Sequence, residues 1–273
     1  MHGETSLSSE REARAKFADK IRSAGAQARE VGEQLFSFSA LLDQTAPVER
    51  SMTDPSRPAA DKIRIVDDLF VGSNAAPLTV EILKDLAARR WSRVDHISNA
   101  VEDLGIDCIL SAADAADVTG TVALELSQIH SAILNLPVVR QRLSDTRASS
   151  EARVKFFHEL FDDQNLNDLT VVLAEHATRE LRQRRFASTI QWLVTKVSDH
   201  MGESVVTVTS AVALTDAQVK RIVDIYTRKL NHPVHVNQVI DSQVMGGMRI
   251  QAGSEVTDNT VIAQLQNLKR MVK

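Results

Sequence analysis

The chain repeats itself at a fixed spacing. Adding 91 to a residue number pairs Val31 with Val122, Leu35 with Leu126, Val48 with Val139, Asp54 with Asp145, Leu69 with Leu160, Phe70 with Phe161 and Asn74 with Asn165. The block Leu78-Thr79-Val80 meets Leu169-Thr170-Val171, and conservative pairs fill the gaps: Lys62/Arg153, Ile63/Val154, Arg64/Lys155 and Asp68/Glu159. An ordered, gap-free run of matches marks a duplicated folding unit, so each copy must build its own core from one pattern.

Each copy follows the same grammar. Amphipathic helices come first, as over residues 11–42, where Val31, Leu35, Phe38 and Leu42 fall at helical spacing. A polar break follows, residues 51–58 in copy one and 144–150 in copy two, whose prolines and small polar residues end one helix and cap the next. The next helix carries Ile63, Val66, Leu69 and Phe70, or Val154, Phe157, Leu160 and Phe161. A last helical pair ends near residues 91–104 or 186–197. Four residues are expected to be inserted before the second ending, so the offset should fail beyond about position 85. Trp91 and Trp192 then fall at corresponding ends of the two bundles, as core anchors. With only 10 Gly and 6 Pro in 273 residues, turns are few and long helices are required.

Beyond residue 203 the period changes from 3.6 to 2. Residues 204–211 are β-branched and strand-like. Thr215 and Gln218 form a capping-box start for a helix whose stripe is Val219, Ile222, Val223, Tyr226 and Leu230, stopped by Asn231 and Pro233. Residues 234–240 and 248–252 read as two strands of a hairpin around the Gly246-Gly247 pair. A closing helix from residues 258–260 carries Val261, Leu265, Leu268 and Val272 on its inner face. The fold class expected is mainly α: two tandem helical bundles, residues 1–102 and 103–200, followed by a small β-α-β-β-α module at 201–273.

Composition narrows the function. A net charge of -4 and a pI of about 6.1 give no basic stripe for nucleic acid. The single Cys108, among Ile106, Ile109 and Leu110, cannot form an internal disulfide and reads as a buried structural thiol in a reducing compartment. The first residues lack a signal-peptide apolar region, and no stretch approaches the roughly 18 apolar residues of a membrane span. A soluble chain is expected, with any membrane association made through partners. Gly246-Gly247 lacks the following Lys-Ser/Thr and helix of a phosphate loop, so a turn needing positive φ is the better reading. His232 and His235 find no third ligand at metal-site spacing. The basic run with Arg179, Arg182, Arg184 and Arg185 reads as a surface helix face, or as a site for an acidic helix of a partner.

The sequence around Gly246-Gly247 carries a family resemblance. Val234, Val236, Ile240-Asp241, Val244, Gly246-Gly247-Met248, Ile250-Gln251 and Gly253 fit the pattern of the delta subunit of F-type ATP synthase, the oligomycin-sensitivity-conferring protein family. Val206, Val208 and Ser210-Ala211 upstream, and Val256, Asp258, Val261 and Leu265 downstream, fit as well. The second bundle resembles the family's helical domain through Leu134-Asn135-Leu136-Pro137, Leu143-Ser144-Asp145, the Arg153 to Phe157 stretch and Leu160-Phe161. Residues 1–104 resemble it only through the repeat: typical members carry one bundle, and this chain carries two. The resemblance implies a non-catalytic stator protein, with no cofactor, no metal and one copy per complex, peripheral on the cytoplasmic side of a bacterial membrane. Its implied partners are the N-terminal helices of the alpha subunits for the bundle and the C-terminal region of the b subunit for the last module. Candidate partner residues are Val244, Met245, Gly246, Gly247, Met248, Arg182 and Arg185. Another class stays open beside it, a helical-repeat adaptor unrelated to ATP synthase, and an enzyme would need a pocket gathering perturbed titratable groups.

Overall fold

The computed structural model describes residues 4–182, 184–202, 204–230, 233–241, 244, 246–252 and 255–261. It divides into two compact units, residues 1–118 and 119–273. The first holds α1 (Glu4–Ala24), α2 (Ala28–Gln44), α3 (Ala46–Thr53), α4 (Ala59–Phe70), α5 (Pro77–Ala88) and α6 (Asp95–Ala115). The second holds α7 (Thr119–Leu134), α8 (Pro137–Leu143), α9 (Ser150–Phe161), α10 (Asp168–Arg179) and α11 (Phe186–Met201), then β1 (Ser204–Ser210), α12 (Asp216–Leu230), β2 (Val234–Ile240), β3 (Met248–Ala252) and β4 (Glu255–Asp258). The expected boundary between residues 102 and 103 therefore falls inside α6. That helix is unbroken because it is the core of its bundle, packed by α1, α2, α3 and α5. The second bundle and the sheet, expected as separate modules, share one unit.

The repeat extends further than the identities do. With the offset of 91, α4 and α9 coincide end to end, as do α5 and α10, and α6 and α11 start at equivalent residues. Residues 89–94 and 180–185 are loops of equal length, so the four-residue insertion is absent. Trp192 corresponds to Val101 rather than to Trp91. Trp91 is buried and donates its indole N–H to Leu86 O at 2.9 Å, whereas Trp192 is half-buried beneath Arg184, 4.6 Å from its ring centre.

Polar brackets repeat with the helices. Gln34 Oε1 on α2 accepts from the Ala76 amide (2.9 Å) and the Thr79 hydroxyl (2.7 Å) at the start of α5. The equivalent Glu125 on α7 accepts from the Asn167 amide (3.0 Å) and the Thr170 hydroxyl (2.5 Å) at the start of α10. Asp54 accepts from the Ser56 amide at 2.8 Å, and its equivalent Asp145 from the Arg147 amide at 3.0 Å. Lys62 and Arg153 are both buried cations. The Arg153 guanidinium donates to the carbonyls of Thr178, Asp145, Ala148 and Arg179, at 3.0, 3.2, 2.6 and 2.9 Å, pinning the α8–α9 turn to the end of α10.

The units differ at their centres. In the first, fifteen residues of α6 are buried, and it crosses α2 backbone to backbone. A Cβ on Gly32 would sit 2.8 Å from Ile109 Cδ1 and 2.9 Å from Gly105 O, so only glycine fits there. In the second unit α11 packs on α7, and β1 covers both.

The sheet order is β2-β1-β3-β4, with β1 parallel to β2 and antiparallel to β3, and β3 antiparallel to β4. The expected β2–β3 hairpin is thus not one, because β1 lies between them; β4 adds a strand the sequence did not announce. The capping box forms as read: the Gln218 amide donates to Thr215 Oγ1 (3.3 Å) while Gln218 Oε1 accepts from the Thr215 amide (2.8 Å). Val206, Val208 and Ile250 pack on Ile222 and Tyr226 of α12, the apolar side of the sheet. Its other side is polar. Thr207 meets Ser127 of α7, and Gln251 donates to His130 Nδ1 and Gln191 Oε1, both at 2.8 Å. The closing helix is described only at Val261; Leu265, Leu268 and Val272 lie outside the described residues.

Replacing Arg153 by Met leaves four carbonyls without their donor. The variant should lose about 2–4 kcal/mol in urea unfolding, and Arg153→Lys should recover only part of it.

Candidate partner-docking surfaces

At this end of the sheet the described residues between β2 and β3 are tied by backbone hydrogen bonds. Asp241 continues the β1 ladder by donating to Ser210 O (2.9 Å), and the Val244 amide turns back to Asp241 O (3.1 Å). Gly246 and Gly247 then take φ of 102° and 77°, the left-handed conformation expected for the pair. Gly246 O accepts from Val261, and Met248 O from Asn259. A Cβ on Gly247 would lie 2.3 Å from Asn259 O, so the backbone of residues 259–260 presses directly on this glycine.

Of the candidate residues here, Val244 and Met248 are half-buried, Met248 against the apolar core of the sheet, and Met245 lies outside the described residues. Three apolar side chains outside the candidate set are exposed at this end of the sheet: Val212 and Ile240, at 71% and 62%, and Val261, at 42%, which was expected on the inner face of the closing helix but stands beside Gly246 open to solvent. Their exposure has no sequence signal, because alternation in β2 predicts a face and not what covers it.

A second apolar surface lies between α7, α9 and β2. It is a groove of about 620 Å³ lined by Ile129, Leu136, Val139, Leu160, Phe161 and Ile240, with Arg249 and Asp241 among its polar residues. The first bundle carries an apolar surface at equivalent positions, where Phe38 and Phe70 stack 5.7 Å apart beside the exposed Leu41 and Leu69.

The basic run is not a helix face, as expected, but the loop between α10 and α11. Arg179 ends α10, and Arg182 holds a φ of 44° that no glycine announces. Arg185 is exposed at the start of α11 and lines a cleft of about 860 Å³ with Arg140, Arg147, Asp145, His130, Gln191 and Gln251. The structure does not bring Arg185 onto the surface of the glycine connection. In the cleft, Arg147 holds the Asp145 carboxyl below its usual range. Burial pushes His130 down from 6.5 to about 4, so it stays neutral. Since the Gln251 amide nitrogen can only donate, His130 Nδ1 accepts and its proton sits on Nε2.

Among the described residues no group of three or more His, Cys, Asp or Glu could hold a metal, and no single helix is long and apolar enough to cross a membrane. Cys108 is buried in α6, and burial pushes its thiol far above the ordinary range, as a structural role requires. His235 is exposed on β2, as expected; His232 lies outside the described residues.

Gly247→Ala should lower the unfolding midpoint of this unit by the equivalent of about 2 kcal/mol or more, through both clash and strain. Gly246→Ala should cost less, since its nearest neighbour would be an ordinary 3.4 Å away. The pH dependence has a definite sign. His130 binds a proton near 6.5 when unfolded and near 4 when folded, so stability is complete above 6.5 and falls as pH drops from there towards 4. Denaturation at pH 7 and pH 4.5 should show the loss, and His130→Asn should reduce it.

Known proteins give these surfaces a context. The family model described as ATP synthase delta (OSCP) subunit matches residues 107–272, from within α6 through the second unit to one residue short of its end. The "ATP synthase subunit delta" of Bifidobacterium longum (strain DJO10A) is 54% identical over 273 residues, covering 100% of this chain and 98% of its own. That of Bifidobacterium adolescentis is 52% identical over the same span, and that of Beutenbergia cavernae 30% identical over 250 residues, 92% of each chain. The two Bifidobacterium alignments run the whole length, so the extra bundle is shared with these relatives. An unrelated adaptor is thereby set aside: the chain belongs to the ATP synthase delta (OSCP) subunit family.

Proposed function

We propose that the sheet end holds the C-terminal part of the b subunit, and that the bundle grooves receive N-terminal helices of alpha subunits. The chain is a non-catalytic peripheral-stalk component of an F-type ATP synthase, placed on the cytoplasmic side of the bacterial membrane through the complex. Its work is to resist torque. The stalk keeps the catalytic head from turning with the central shaft, so rotation is spent on conformational change in the catalytic sites.

The observation that carries the contact with b is the clustering of exposed Val212, Ile240 and Val261 around the fixed Gly246-Gly247 connection. Apolar side chains gathered at one end of a sheet favour an apolar partner face, and a backbone held by hydrogen bonds at Asp241, Val244, Gly246 and Met248 loses little freedom on binding. Val244, Met248 and Met245 would complete that contact, with methionine adapting to the partner's side chains. The apolar groove along α7 and α9 supports the alpha contact, since an amphipathic helix docks by laying its apolar stripe into such a groove.

Val261→Asp and Val212→Asp, which lie outside that groove, should each weaken capture of a peptide from the C-terminal end of b by about tenfold, while leaving an alpha N-terminal peptide bound. Leu160→Asp should do the reverse. Circular dichroism melts confirm that each variant folds. Peptide affinities that stay unchanged in all three folded variants would remove the assignment.

A further inference from the structure

We propose that the cleft at the start of α11 is a binding site for the phosphate group of a small phosphorylated molecule, held by Arg140, Arg185 and the buried amide of Gln191. Its lining carries three arginines, Arg140, Arg147 and Arg185, against a single carboxylate, Asp145. Arg140 and Arg185 form no ion pair among the described residues, whereas Arg147 is engaged by Asp145 at 3.1 Å. Gln191 Nε2 is buried and has no hydrogen-bond acceptor. His130 presents N–H at Nε2, because its Nδ1 is committed to Gln251. Arg185 supplies no side-chain cap to α11, so the first-turn amides of Ala187 and Ser188, two residues lining the cleft, add the positive end of a sixteen-residue helix.

The duplicated copy acts as an internal control. With the offset of 91, Arg140 corresponds to Glu49, Arg185 to Val94, His130 to Ser39 and Gln191 to Ala100. In copy one, Glu49 supplies the acceptor from within the chain, taking a hydrogen bond from Ser98 at 3.2 Å. Copy two has reversed that charge, added a second arginine and placed an unaccepted amide beside them. The site needs an acceptor from outside.

A phosphate fits better than a carboxylate. Donors from α8, α11 and α7 outnumber the two oxygens of a carboxylate, and a charge near −2 matches the two unpaired guanidiniums. At about 860 Å³ the cleft exceeds a lone phosphate and falls in the range of small-ligand sites, with Leu134, Pro137 and Ala187 as apolar wall for the rest of the molecule.

The test uses the full chain at low ionic strength, titrated calorimetrically with inorganic phosphate, with ADP and with a glutamate-rich peptide. Saturable binding of phosphate or ADP is expected, tighter for ADP if the apolar wall contributes. Arg140→Gln and Arg185→Gln should each weaken it by about tenfold, and Arg147→Gln by much less. The pair Arg140→Glu with Arg185→Val, which restores the copy-one side chains, should abolish it. Failure of both phosphate probes to saturate, or equal binding by the folded double variant, overturns the proposal. Peptide binding lost in the variants, with no phosphate binding, would overturn it in favour of an acidic partner segment.

Discussion

One side-chain acceptor on the second helix of each copy sets the frame for everything else. Gln34 and Glu125 each take a backbone amide and a threonine hydroxyl from the first turn of a helix forty-two residues on. Those amides have no partner inside their own helix, so the bracket satisfies groups that would otherwise be orphaned. It also fixes where α5 starts on α2 and where α10 starts on α7. Identical placement of α4 with α9 and of α5 with α10 follows, because the intervening segments must span the same distance. A buried cation also recurs at equivalent positions, Lys62 and Arg153; Arg153 ties the α8–α9 turn to the far end of α10, so charge is kept between the copies while hydrogen-bonding capacity changes.

The fold was legible where chemistry is local and illegible where it depends on what comes between. Thr215 and Gln218 announced a capping box because both partners lie within one turn. Gly246 and Gly247 announced positive φ because few other residues adopt it. The β2–β3 pairing was misread because adjacency in sequence favours a hairpin, while β1 had already taken the position between them. The helical repeat was lost beyond residue 85 for another reason. α6 is enclosed by four helices and needs apolar residues all round, whereas α11 buries one stripe, Phe186, Ile190, Leu193 and Val197. Different burial erased the identities while the helix starts stayed in register. Of the candidate site, the glycine turn was legible. The exposed Val212, Ile240 and Val261 were not, since exposure depends on packing partners far away in sequence.

The sheet joins its bundle by polar contacts, which bears on a part that must carry load. One side of β1 gives Val206 and Val208 to α12; the other gives Thr207 and Thr209 to the side facing α7. Asn237, Thr207 and Gln251 form a row across three strands in register, and this row meets Ser127, His130 and Gln191. Such a joint is directional. Sliding breaks specific hydrogen bonds, where an apolar joint could re-pack at little cost. A protein that resists rotation gains from that directionality more than from additional buried area.

Duplication explains why two similar bundles can differ in what they do. Positions that build the bundle agree in both copies: the acceptor at 34/125, the buried cation at 62/153, the Asx turn at 54/145. Around the start of the last helix they diverge towards positive charge: Glu49 becomes Arg140, a reversal of sign, and the neutral Val94 becomes Arg185. A charge reversal at a position facing a cleft is not drift in packing, because the apolar neighbours Met52 and Leu143 remain buried beside it. One copy satisfies its donors internally and can serve as structure alone. The other leaves them to be satisfied from outside, which is where a second role for the duplicated bundle has physical room to exist.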